Sequence, residues 1–150
     1  MPATTRNDVL RYVSTRGAAP RLSFHDALLT GLAVDGGLYV PESWPSFSRQ
    51  QIAELRGQPY VGVARKIMEK FVADEMDRRT LGSIIEEAYA TFHHAATVPL
   101  VQTGPDDWLL ELFHGPTLAF KSVAMQVLTR LIGHVLTERG ARMTIVGATS

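Results

Sequence analysis

The sequence contains no cysteine, only three lysines and no excess of either charge. Without cysteine, disulfide bonds and thiolate metal sites are excluded. The 15 Lys and Arg residues balance the 15 Asp and Glu residues, so the chain lacks the overall positive charge that is typical of proteins binding nucleic acid or anionic membranes. No apolar run reaches the roughly 20 residues that a membrane helix needs. We therefore expect neither a nucleic-acid nor a membrane partner.

The overall amino-acid composition is that of an ordinary globular protein. Of the 150 residues, 45% are hydrophobic and 20% are charged, which is enough apolar material for one medium-sized core or two small ones. The amino-terminal residues 1–11 lack the apolar stretch of a secretory signal. These features predict a soluble protein of the cytoplasm.

Residues 11–94 are predicted to form a small helical domain, which follows a flexible extension at residues 1–10. Ser23 and Ser48 are placed to cap two helices, because each is followed three residues later by a side chain that can complete a capping box. The first of these helices is expected to run through Leu32.

Two longer helices and a short strand complete this predicted domain. Pro59 begins one of the helices, because proline is favoured in the first helical turn. The other follows Asp77 and carries its apolar residues along one face. Residues 38–40 are predicted to form the strand, which Pro41 ends.

Residues 95–150 have a different pattern, which predicts the beginning of an α/β domain. Apolar runs at 98–101 and 108–113 indicate two strands, and a long amphipathic helix that ends at Gly140 follows them. The nearly all-apolar segment 143–146 indicates a further strand, of the kind found inside parallel sheets. Strand, helix and strand in this order predict the right-handed crossover of a parallel sheet. Because one crossover leaves a face of such a sheet uncovered, we expect this chain to be the front part of a longer protein rather than one covered by another subunit.

Lys121 is the strongest candidate for chemistry, because it lies among apolar residues where a loop becomes a helix. Burial and the positive end of a helix both disfavour an ammonium group, and together they favour a nucleophilic amine that can form a Schiff base. The alternative is a lysine whose stem packs while its head reaches water, and local sequence alone favours this alternative. Lys66 and Lys70 lie one helical turn apart on a polar face and are interpreted as surface lysines.

Histidine and glycine offer weaker candidates. Residues 93–94 are two histidines at the end of an amphipathic helix, where a positive charge suits the helix dipole, and we therefore expect no metal site. His114 lies in the same loop as Lys121, which makes it a second candidate for the site. The glycines at 36–37 and 115 match no phosphate-loop pattern.

Three motifs in fixed order resemble the threonine synthase family. Residues 11–41 are similar to its amino-terminal domain, beginning with Arg-Tyr-Val-Ser-Thr-Arg-Gly and ending with Asp-Gly-Gly-Leu-Tyr-Val-Pro. Residues 111–121, Glu-Leu-Phe-His-Gly-Pro-Thr-Leu-Ala-Phe-Lys, resemble the segment that carries the family's cofactor lysine. Residues 147–150, Gly-Ala-Thr-Ser, resemble the opening of its Ala-Thr-Ser-Gly-Asp-Thr-Gly loop. The resemblance covers nearly the whole chain after the first ten residues, and it favours the Schiff-base interpretation of Lys121.

The resemblance implies a pyridoxal-phosphate-dependent lyase of fold type II, which converts O-phospho-L-homoserine and water to L-threonine and phosphate. It implies that Lys121 binds pyridoxal 5′-phosphate through a Schiff base and later moves protons at the α and β carbons of the substrate. It also implies that backbone N–H groups at Thr149 and Ser150 bind the substrate carboxylate, because uncapped groups at a helix start favour an anion. Ser122 departs from the family, which usually has aspartate after the lysine; serine can cap a helix but supplies no charge.

Two other functions are compatible with the same motifs. A threonine-synthase-like phospho-lyase would eliminate phosphate without making threonine, and would release a keto acid. A non-catalytic interaction module would keep the motifs without the active half of the enzyme. For the 150-residue chain by itself, we expect no threonine synthesis and at most weak cofactor binding through Lys121, because the family's cofactor-phosphate site and most of its substrate-phosphate site lie further along its sequence.

Overall fold

The computed structural model describes residues 10–146, and helices make up most of its regular structure. The elements of this described part follow in the order β1 (Tyr12–Ser14), α1 (Phe24–Thr30), β2 (Tyr39–Pro41), α2 (Arg49–Ala53), α3 (Tyr60–Val72), a 3₁₀ turn (Ala73–Glu75), α4 (Arg78–Tyr89), β3 (Leu100–Gln102), β4 (Trp108–Leu110) and α5 (Ser122–Glu138). The strands form two separate antiparallel pairs, β1 with β2 and β3 with β4. Of the extension predicted at residues 1–10, all but the last residue lies outside the described part.

The N-cap side chains confirm where three helices begin. The Oγ of Ser23 accepts a hydrogen bond from the backbone N–H of Asp26 at 3.1 Å, although the Asp26 carboxylate accepts from the Ser23 hydroxyl and not from its backbone. Ser48 and Gln51 form the complete capping box. Asp77 accepts from two N–H groups in the first turn of α4. Each cap satisfies backbone donors that the first helical turn leaves without partners.

Helix α1 ends earlier than predicted. Gly31 takes a positive φ of 68° and its N–H donates to the carbonyl of Ala27 at 3.2 Å, which closes the helix after Thr30. Leu32 therefore lies beyond the helix, with 66% of its surface exposed. The prediction that the helix runs through Leu32 is wrong, because a glycine in the left-handed region reverses the chain at little steric cost.

Strand β1 has no counterpart in the predictions from sequence. It pairs with β2 so that Tyr12 lies opposite Pro41. The hydroxyl of Tyr12 donates a 2.6 Å hydrogen bond to the carbonyl of Phe71 at the end of α3. Burial, and then the negative charge of Glu75, raise the pKa of Tyr12 to about 12. This tyrosine therefore attaches the β1–β2 pair to the helical core.

The core consists of buried apolar side chains from α3, α4 and α5 and from the short turn between α3 and α4. Its members are Val72, Met76, Leu81, Ile84, Ile85, Ala88, Val127, Leu131 and Val135. The amphipathic character predicted for the helix before Gly140 is confirmed, since the last three of these residues share the buried face of α5. The core contains residues from both sides of position 94. The boundary between two domains at this position stays a prediction. Neither α5 nor any other helix between residues 10 and 146 is long and apolar enough to cross a membrane.

The strand predicted at 143–146 is not formed. These residues have no regular secondary structure, and Ile145 and Val146 are 69% and 91% exposed. A strand is stable when a neighbouring strand satisfies its backbone groups, and within residues 10–146 no strand pairs with this segment. The described residues thus combine helices with two antiparallel pairs and contain no parallel pair, which the predicted crossover requires.

Candidate active site around Lys121

Lys121 is the residue immediately before α5, and its side chain is exposed. Its carbonyl accepts the N–H of Met125 at 2.9 Å, so its backbone belongs to the start of the helix. The neighbouring apolar side chains of Leu118 and Phe120 are 69% and 65% exposed and do not shield the amine. The prediction that Lys121 is buried is therefore wrong for this structure, because no described element packs over this side of the loop.

The amine of Lys121 is available for chemistry in a way that the amine of Lys70 is not. Lys70 donates to the carbonyl of Ser46 and lies 3.9 Å from the ring centroid of Phe47. Within residues 10–146, neither a hydrogen bond nor an ion pair engages the amine of Lys121. Lys66 is exposed on α3, as predicted for a surface lysine.

Two hydroxyls make contact next to Lys121 in the chain, one from the buried Ser122 and one from the exposed Thr117. Ser122 is only 2% exposed, and its Oγ lies 2.5 Å from the Oγ1 of Thr117. The same Oγ accepts from the backbone N–H of Thr117 at 3.4 Å. We call this pair of contacts the Thr117–Ser122 clasp. It joins the loop before Lys121 to the first residue of α5.

Gly115 packs directly against the clasp. A Cβ at this position would overlap the Cβ of Ser122 and would lie 3.1 Å from Cε1 of Phe92. Gly115 is buried and its φ is not in the left-handed region. Glycine is therefore required here because the side chain of Ser122 approaches so closely. The sequence alone shows only that a glycine lies in a loop.

His114 holds the other end of the loop. Its Nε2 lies 2.7 Å from the Oε2 of Glu111, and its carbonyl accepts the N–H of His93 at 2.9 Å. Its ring faces the ring of His94, with centroids 4.9 Å apart. The described residues contain no group of three or more His, Asp or Glu side chains that could hold a metal ion. His114 thus fixes the path of the loop, and sequence reasoning missed Glu111 as its partner, although the three-residue spacing was a possible signal.

The candidate site is the segment that carries His114, Thr117, Lys121 and Ser122. Sequence reasoning singled out His114 and Lys121 as candidates for it. Sequence reasoning missed the role of Thr117, because a hydroxyl five residues from its partner has no recognisable pattern. The predicted carboxylate-binding residues Thr149 and Ser150 lie outside the described residues.

Comparison with known proteins identifies the family. The family model described as "Threonine synthase N terminus" matches residues 11–89, which is more than half of the chain. The chain belongs to this family. The resemblance stated from the sequence motifs is therefore confirmed.

Named relatives extend the match to the segment of Lys121. The threonine synthase of Pseudomonas aeruginosa is 53% identical over 141 residues, which are 94% of this chain and 30% of that protein. A stretch of 141 residues in a chain of 150 must include residues 10–141, and therefore Lys121. The chain spans less than a third of the length of the threonine synthases it matches.

Solved structures agree with the observed fold. The crystal structure of a pyridoxal-phosphate-bound threonine synthase from Brucella melitensis matches with a TM-score of 0.87 and 53% identity, covering 89% of this chain and 29% of that one. The threonine synthase structure from yeast matches with a TM-score of 0.82 and 34% identity, covering 92% and 28%. The arrangement of helices and antiparallel pairs is thus the one that the threonine synthase family uses in this part of its fold.

Proposed function

We propose that this chain forms the amino-terminal part of a threonine synthase, in which Lys121 binds pyridoxal 5′-phosphate. The reaction converts O-phospho-L-homoserine and water to L-threonine and phosphate. The observation that carries the proposal is the position of Lys121 immediately before α5, within the stretch that is 53% identical to a threonine synthase, in a chain that belongs to the threonine synthase N-terminus family.

The residues around Lys121 fit an aldehyde cofactor. A primary amine must reach the carbonyl carbon to react with it, and the exposed side chain of Lys121 is open to such an approach. The loop that carries the amine is fixed at one end by the Thr117–Ser122 clasp and at the other by the pair of Glu111 and His114. When bound, the cofactor supplies an electron sink for the carbanion formed at the substrate's α carbon. The amine of Lys121 would also accept and return protons at the substrate's carbon atoms.

Further parts of the proposal concern the sequence at and beyond the end of the described residues. Thr149 and Ser150 are proposed to bind the substrate carboxylate through backbone N–H groups. Residues 95–150 are proposed to begin the cofactor-binding α/β domain, after the domain at 11–94. In that domain the exposed apolar segment 143–146 would find the neighbouring strands of a parallel sheet. A cytoplasmic location is proposed for the protein, in accord with its composition.

The test uses protein expressed from the complete coding sequence that contains these residues. Incubation with pyridoxal phosphate, followed by borohydride, should fix a pyridoxyl label that mass spectrometry locates on Lys121. Lys121→Ala should remove the label and lower threonine formation about a thousandfold, within the range for losing a group that transfers protons. Lys66→Ala is the matched control, because Lys66 is also exposed, and it should keep both label and activity.

Product analysis separates this proposal from its alternatives. Threonine and phosphate in equal amounts support a threonine synthase. A keto acid with phosphate would instead indicate a phospho-lyase that uses the same lysine. A protein that neither takes the label nor consumes the substrate would contradict both enzymes and leave a non-catalytic module.

A further inference from the structure

Ser122 is a buried polar residue in an otherwise open segment. Its surface is 2% exposed, whereas its neighbours Phe120 and Lys121 are exposed. Both of its side-chain hydrogen-bond contacts among the described residues are with Thr117. A buried hydroxyl is costly unless it has a hydrogen-bond partner. The Thr117–Ser122 clasp supplies that partner and so offsets the cost of burying the Ser122 hydroxyl.

The clasp closes a loop that contains a strained residue. Leu118 has a φ of 56°, in the left-handed region that disfavours residues with a Cβ. Its N–H donates to the carbonyl of Gly115 at 3.0 Å. Such a conformation persists only when its surroundings fix it, and strained residues of this kind concentrate at functional sites. The clasp, which joins the residue before Leu118 to Ser122, and the close packing of Gly115 against Ser122 supply that constraint.

The helix to which the clasp attaches the loop is itself firmly held. Val127, Leu131 and Val135 of α5 belong to the apolar core. The hydroxyl of Tyr89 on α4 donates to the carbonyl of Val123 at 3.1 Å, within the first turn of α5. The start of α5 is therefore a rigid base, and Ser122 is the point at which the loop is attached to it.

We propose that Ser122 and Thr117 are positioning residues for Lys121. The clasp sets the path of the loop relative to α5, and so fixes the backbone position from which the Lys121 side chain extends toward the cofactor aldehyde. Neither hydroxyl touches the reacting atoms in this role; both act through the backbone that carries the lysine. The inference rests on the proposed function. It gives Ser122, which stands where the family usually has aspartate, the role of an uncharged contact that fixes the loop.

The test compares variants that remove or retain the hydroxyl contact. Ser122→Ala and Thr117→Val each remove one hydroxyl, Thr117 being replaced by a side chain of similar shape. Thr117→Ser is the control, because it keeps the hydroxyl. The measurement is the rate at which pyridoxal phosphate and borohydride label Lys121, followed by mass spectrometry across a range of pH, with the thermal unfolding of each protein recorded beside it. All proteins are expressed from the complete coding sequence.

Ser122→Ala should slow labelling about fivefold, the scale of one hydrogen bond. Thr117→Val should slow it by no more than this, because the backbone N–H of residue 117 still donates to Ser122, and Thr117→Ser should stay within about twofold of the unchanged protein. Ser122→Ala removes both contacts of the clasp and Thr117→Val removes only the contact between the two hydroxyls. The double variant should therefore be no slower than Ser122→Ala. Labelling rates and pH profiles that match the unchanged protein would overturn the inference, even if the thermal stability fell, since they would show a merely structural role. The inference would also be overturned if the slowing of labelling in the double variant equalled the sum of the effects of the two single variants on the free-energy scale.

The same measurement distinguishes this inference from the proposed function. If the unchanged protein takes no label at Lys121, the proposed function fails, and the positioning role fails with it. If the unchanged protein is labelled at Lys121 but the hydroxyl variants are labelled equally fast, only the positioning role fails.

Discussion

Replacing Gly115 with alanine tests the close packing of this residue against Ser122, the residue that follows Lys121. The added Cβ would overlap the Cβ of Ser122, and it would lie 3.0 Å from the Oγ of Ser122 and 3.1 Å from Cε1 of Phe92. Ser122 is buried and begins α5, so it has little freedom to move aside. Overpacking of this kind costs about 1–3 kcal/mol, and we expect the free energy of unfolding to fall by about 2 kcal/mol.

Gly133 provides the matched control for this substitution. It lies inside α5, and a Cβ there would meet no atom within 4 Å. Gly133→Ala should raise the free energy of unfolding by about 0.5–1 kcal/mol, because alanine is favoured over glycine in a helix interior. Urea denaturation of both variants and of the unchanged protein measures the two differences. An unfolding free energy for Gly115→Ala equal to that of the unchanged protein would refute the packing argument.

Two further predictions concern contacts that hold the amino-terminal elements. Tyr12→Phe should lower the free energy of unfolding by about 1–2 kcal/mol, because it leaves the carbonyl of Phe71 without its 2.6 Å hydrogen bond. Tyr39→Phe removes an exposed hydrogen bond and should change that free energy by less than about 0.5 kcal/mol; equal losses in urea denaturation would contradict the anchoring role of Tyr12. Asp26→Asn should cost less than about 1 kcal/mol at neutral pH, because the ion pair with Arg139 is nearly half exposed. The hydrogen bond from Arg139 lowers the pKa of Asp26, so this stabilisation is present above the unfolded pKa of about 3.9 and is lost as the pH falls through the lower folded-state pKa. A stability difference between Asp26→Asn and the unchanged protein that grew with falling pH would contradict this assignment.

Helix boundaries set by nearby side chains were predictable from the sequence. The capping box of Ser48 and Gln51 forms as the sequence indicates, and α4 begins directly after Asp77 as predicted. Gly140, with a φ of 58°, follows the last turn of α5. Each of these signals depends on groups within about four residues of one another, so the local sequence contains all of the interacting partners.

Features that depend on distant residues were not predictable in this way. Strand β1 exists because Tyr12 pairs with Pro41 and reaches the carbonyl of Phe71, and the three residues of β1 carry no periodic signal of their own. The segment 143–146 has the composition of a strand, yet it forms none because no described strand pairs with it. In both cases the structure depends on a neighbour in space, and a short sequence pattern does not identify that neighbour.

The sequence by itself determined the family and the lysine on which the proposed chemistry depends, because both are carried by an ordered set of residue types. Only the tertiary structure decided that Lys121 is exposed while Ser122, the next residue, is almost fully buried. Successive residues at a helix start point about 100° apart, so one of the two can face Gly115 and Phe92 while the other faces open space. Which of the two is buried depends on where α5 packs against the rest of the molecule, and that is a property of the folded chain.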